Sequence, residues 1–81
     1  MRDLYTAACV YSLSSAAARD EPALRERYAA RAMELLLRAV QTGYRDVAHM
    51  KQNTDLDPIR NRSDFQGLIA DLAFPTDPFA R

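Results

Sequence analysis

Eighty-one residues are enough for one small domain, whose core is marginal without support from a partner, a metal or disulfides. Cys9 is the only cysteine, which excludes an internal disulfide, and one cysteine with one histidine cannot make a structural zinc site. Eleven basic residues balance eleven acidic ones, leaving none of the basic excess of a nucleic-acid binder, and no apolar run approaches the ~20 residues of a membrane-spanning helix.

Ten of the eleven basic residues are arginine, with acidic residues interleaved, a pattern of genomic bias rather than phosphate recognition. The only glycines are Gly43 and Gly67, and alanine, leucine and arginine dominate. That composition favours helix, so an all-α domain is expected. Met1-Arg2-Asp3-Leu4 lacks a signal-peptide pattern, because Asp3 interrupts it. Cys9 sits in the apolar run Ala7-Ala8-Cys9-Val10 and reads as a buried small hydrophobe, which fits a reducing compartment. A soluble, cytoplasmic protein is expected.

The first helix is expected over about Asp3–Ala17, with Asp3 opposing its dipole or capping it. Leu4, Ala8 and Tyr11 line one face; Val10, Leu13 and Ala17 line another. Two apolar faces predict burial on two sides. The stripe Arg2, Tyr5, Cys9 and Ser12 is mixed. The break falls in residues 16–22, where Asp20 is a plausible N-cap ahead of Pro22.

The second helix is expected over about Pro22–Thr42. Tyr28, Ala32, Leu35, Leu36, Ala39 and Val40 form its apolar face; Arg27, Arg31, Glu34 and Arg38 form a solvated stripe, with Glu34 and Arg38 paired at i, i+4. Gly43 stands where a left-handed residue ends a helix. Tyr44-Arg45 make a turn, and Asp46 caps a short helix over Val47–Lys51. Gln52-Asn53-Thr54 reads as a loop. Asp57-Pro58 reads as an N-cap and N1 proline opening one turn to about Asn61. Ser63 and Gln66 form a capping box for a last helix to about Ala73, with Phe65, Leu68, Ile69 and Leu72 inward. Pro75 and Pro78 then end regular structure, leaving an extended tail that Phe74 or Phe79 could anchor. The expected organisation is a helical hairpin at 1–43, a short-helix module packed on it at 44–74, and a tail at 75–81.

The spacing of Leu4, Ala7, Ala8 and Tyr11, followed by Ala32, Leu36 and Ala39, resembles the two helices of a tetratricopeptide repeat. The intervening segment, roughly 16–26, is longer than the family pattern and lengthens both helices and their turn. Gly43 to Asp46, then Asp55 to Pro58 and Asp64-Phe65, resemble the module that closes such arrays at the C-termini of bacterial serine/threonine protein kinases. The resemblance covers about Leu4 to Phe74. It implies an antiparallel helical hairpin followed by two or three short helices, capping a protein-binding solenoid within a larger kinase. No catalytic residues are implied, since the kinase glycine loop and its two functional aspartates have no counterpart here.

Other chemistry finds no support. Asp55 and Asp57 could open a calcium loop, but its sixth and twelfth positions hold Arg60 and Gln66, so helix capping is the better reading. His49 reads as a packing or surface histidine. Ser12, Ser14 and Ser15 lack the glycine elbow of a nucleophile. Arg25, Arg27, Arg31 and Arg38 are interrupted by Glu26 and Glu34, the mark of a solvated face. No catalytic, cofactor or metal residues are expected.

The resemblance makes the first helix the lining of a concave surface, and Arg2, Tyr5, Cys9 and Ser12 become the candidate interaction residues. Tyr5 leads, because aromatic residues recur in binding hot spots. The expected partner is a protein or peptide, or a neighbouring repeat. The alternative is a structural domain that buries its two-faced first helix against a second copy of itself.

Overall fold

The computed structural model describes residues 2–44 and 46–73, with side chains described over 4–44 and 46–72. The expected tail at 75–81 and the Phe74 and Phe79 anchors lie outside the described residues, as does Arg45. The fold is all-α: among the described residues every regular element is helical. Two long helices, α1 (Arg2–Ala17) and α2 (Pro22–Gln41), precede the short helix α3 (Val47–Gln52), a 3-10 helix (Thr54–Ile59) and α4 (Ser63–Ala73).

Helices α1 and α2 are joined by residues 18–21 and run antiparallel. Ser14 and Ala17 meet Leu24 and Tyr28, the Tyr11 ring meets that of Tyr28, and Tyr5 reaches Tyr44 beyond the far end of α2. The expected Asp20 cap is not used. Glu21 holds the N-cap position without a side-chain bond. The turn is carried by backbone, with the Glu21 N–H donating to the Ala18 carbonyl at 2.9 Å. Pro22 at the first helical position removes one of the unpaired N–H groups of the first turn and presets its φ for the helix.

The core lies where α1, α2 and the 3-10 helix converge. Ala8, Ala32, Leu36, Met50, Leu56 and Ile59 are wholly buried. Ala8 and Ala32 let the two long helices approach, and Leu36 fills the space beside them. The apolar face of α2 is as expected at Ala32, Leu35, Leu36 and Ala39, and it extends to Ala29 and Met33. On the opposite side Glu34 accepts from Arg38 at 3.1 Å and from Arg31 at 2.7 Å. The Arg31 hydrogen bond, with its charge second, holds the Glu34 carboxyl below its ordinary range.

Helix α2 ends in a Schellman motif. The Tyr44 N–H donates to the Ala39 carbonyl and the Gly43 N–H to the Val40 carbonyl, each at 3.0 Å. Gly43 stands at φ +117°, a conformation that L side chains rarely adopt. The Asp46 cap forms as expected, accepting from the His49 N–H at 3.0 Å.

Two later expectations need correction. Pro58 lies inside the 3-10 helix rather than opening a turn, because Asn53 caps that helix five residues earlier, its Oδ1 accepting from the Asp55 N–H at 3.0 Å. Asp57 instead takes the Nε of Arg60 at 2.8 Å. The Ser63–Gln66 capping box is also replaced, since α4 already includes Ser63. Arg62 precedes it, binding Asp64 and reaching Glu26 of α2 at 2.8 Å. Its carbonyl takes the Gln66 N–H at 3.0 Å, so the helical ladder starts one residue earlier than a Ser63 cap allows. Phe65 and Leu68 are buried as expected, and Ile69 and Leu72 pack partly against the core.

Candidate functional site

The stripe expected to line a groove faces inward instead. Cys9 is 7% exposed, Ser12 is wholly buried, and Tyr5 is half-buried. The Arg2 side chain lies outside the described residues. The cause is the segment after α2, which folds back over this side of α1. Tyr5 stacks on Tyr44 with ring centroids 4.6 Å apart, and His49 sits tilted at 5.5 Å. Asn53 Nδ2 donates to the Tyr5 hydroxyl at 2.9 Å and approaches the Cys9 sulfur at 3.5 Å.

Burial governs the protonation of this cluster. It pushes the Tyr5 hydroxyl up, partly offset by the Asn53 hydrogen bond. It pushes the Tyr44 hydroxyl up further, with the Tyr5 hydroxyl adding to the effect. The Cys9 thiol is raised first by burial and then by the negative charge of Asp55. A thiol raised in this way stays protonated near neutral pH and is a poor nucleophile. The cluster therefore locks the 3-10 segment to α1 through Asn53 and keeps the Cys9 thiol in its unreactive form.

Ser12 carries a further consequence. Its hydroxyl is buried without a hydrogen-bond partner, while its carbonyl accepts from Ser15 Oγ at 2.6 Å. A buried hydroxyl left unsatisfied costs about 1–3 kcal/mol, so Ser12→Ala is expected to stabilise the chain by about 1 kcal/mol. Urea denaturation checks this, and a loss of stability contradicts it.

What remains open on α1 is the opposite stripe of Thr6, Val10, Leu13 and Ala17. Val10 is 55% exposed and Leu13 47% exposed. Val10, Leu13 and Ala17 were expected to be buried on the second side of a two-sided helix; among the described residues nothing covers Val10 and Leu13, and Ala17 lies exposed at the edge of the contact with Leu24 and Tyr28. From Leu4 to Ala18 no residue is charged, so this exposed stripe carries no charge.

Two adjoining clefts open between α1 and α2 near their turn, sharing Tyr28. One, of about 310 Å³, is lined by Ser14, Ala17, Ala18, Glu21, Leu24 and Tyr28. The other, of about 320 Å³, is lined by Tyr11, Tyr28, Arg27 and Arg31. Sequence reasoning placed Arg27 and Arg31 on a solvated stripe and missed this convergence. The signal was available in the paired tyrosines, one per helix, that meet across an antiparallel hairpin.

Among the described residues no group of three or more histidines, cysteines or acids could hold a metal ion, and no helix is long and apolar enough to cross a membrane. No family model, curated protein or solved structure matches the chain.

Proposed function

We propose that this chain is a non-catalytic helical protein–protein interaction module, of the kind that ends a tetratricopeptide array in a larger bacterial serine/threonine kinase of the cytoplasm. The observation that carries the reading is the uncharged, exposed stripe of Thr6, Val10, Leu13 and Ala17. Its spacing of i, i+4, i+7 and i+11 is that of one continuous helix face, suited to an apolar helix packed alongside. In a stacked array the helix of a preceding repeat would occupy that place. The close approach of α1 and α2 through Ala8 and Ala32 supports the same reading.

The stripe also favours a second reading, self-association, because an uncharged face does not repel its own copy. Sedimentation equilibrium of the isolated chain from micromolar to millimolar concentration separates the two. A monomer throughout leaves the stripe for a foreign helix. A dimer that Leu13→Glu dissociates, with helicity unchanged, assigns the stripe to a second copy. A dimer indifferent to that substitution forms through another face and removes the stripe from the self-association reading.

A further inference from the structure

The stripe on α1 is one open surface; the paired clefts at the turn adjoin it at Ala17 and differ from it in chemistry. Tyr11 and Tyr28 meet there with ring centroids 6.0 Å apart. Arg27 and Arg31 stand one helical turn apart beside them. Arg31 is engaged by Glu34 at 2.7 Å. Among the described residues Arg27 has no carboxylate partner, so an unneutralised guanidinium borders an aromatic surface. The adjoining cleft supplies an apolar lining at Ala17, Ala18 and Leu24.

We propose that these two clefts dock an acidic peptide segment of a partner protein, with a carboxylate at Arg27 and a neighbouring aliphatic side chain against Ala17, Ala18 and Leu24. The proposal rests on the reading of the chain as an interaction module and names the chemistry of one partner. Three features select it. A guanidinium fork matches a planar carboxylate, and the flanking tyrosine rings offer both apolar faces and hydroxyls. The alanine and leucine lining has no role in holding a phosphate backbone. Glu34 is engaged by Arg31 and Glu21 borders the apolar cleft, so the lining offers one guanidinium without a carboxylate among the described residues, at Arg27, and not the basic run that a phosphate backbone calls for.

The test is a nuclear magnetic resonance titration of the isotope-labelled full chain with a capped peptide of alternating glutamate and leucine. The same titration is run with the lysine–leucine counterpart and with a single-stranded oligonucleotide. The acidic peptide is expected to move amide resonances at residues 11–18 and 24–31, and the lysine peptide to move none. Arg27→Glu is expected to weaken the acidic peptide by about fivefold, the scale of one exposed charge pair, with helicity retained. Raising the salt concentration is expected to weaken it further. Equal response to the two peptides, no response to the acidic one, or indifference to Arg27→Glu overturns the proposal. A stronger response to the oligonucleotide also overturns it, in favour of nucleic acid. Acidic-peptide shifts confined to Val10 and Leu13 reject the clefts while leaving the interaction-module reading in place.

Discussion

Replacing Leu36 by alanine is expected to cost about 3–4 kcal/mol, within the range for deleting a wholly buried leucine. Leu36 is completely inaccessible and lies between α2 and the alanine face of α1. Its removal forfeits the transfer free energy of a methine and two methyl groups and leaves a cavity that the two helices cannot fill. Close approach through Ala8 and Ala32 already places the backbones near contact, so little collapse is available. A domain of this length has on the order of 4–12 kcal/mol to lose, so the variant is expected to melt some 15–25 °C lower. Leu37 gives the control within the same helix. It is 46% exposed, and Leu37→Ala is expected to change stability by less than about 1 kcal/mol. Urea and thermal denaturation followed by circular dichroism measure both. A loss below about 1 kcal/mol for Leu36→Ala would show that the long helices do not share this core.

The second large effect is expected at Arg60, whose guanidinium closes the exposed end of α3. It donates to the carbonyls of Asn53 at 2.7 Å, Lys51 at 2.8 Å and Met50 at 3.3 Å, and its Nε donates to Asp57 at 2.8 Å. Its carbon also lies 5.8 Å over the Phe65 ring. The last carbonyls of a helix have no partner within it, and here one planar fork satisfies several at once. The side chain is 29% exposed, so water replaces part of what is lost on removal. Arg60→Met is therefore expected to cost about 2 kcal/mol, less than the sum of four charged hydrogen bonds. Arg60→Lys is expected to recover little, since an ammonium cannot span the same carbonyls. Amide hydrogen exchange gives the local readout, with faster exchange at Met50, Asn53 and Leu56 than in α2. Unchanged exchange at those three amides would sink the assignment.

Much of the fold was legible because its signals are local. The Gly43 stop and the Asp46 cap each depend on residues within one turn, and both form as read. The apolar face of α2 was legible because charge marks its opposite side at Arg27, Arg31, Glu34 and Arg38. Helix α1 offers no such contrast. With no charged residue from Leu4 to Ala18, polarity could not say which side faces inward, and the two sides were exchanged. Ser12 is buried because it is small, a property that close packing rewards and hydropathy does not register, whereas Cys9 is buried as its apolar run indicated. Asn53 escaped notice as a polar loop residue because its partners, Tyr5 and Cys9, lie more than forty positions away. The clefts at Tyr11 and Tyr28 escaped for the same reason: each contributing residue is ordinary until the hairpin closes.

Asn53 also bears on how this chain can vary. Its N–H ends α3 on the His49 carbonyl, its carbonyl takes Leu56 and Arg60, its side-chain oxygen starts the 3-10 helix, and its amide nitrogen holds Tyr5 and Cys9. Aspartate has no donor for the last task, serine is too short, and glutamine carries its amide a bond too far. Position 53 is thus a single letter that evolution can change only together with several others, while its exposed neighbours Gln52 and Thr54 are free to drift.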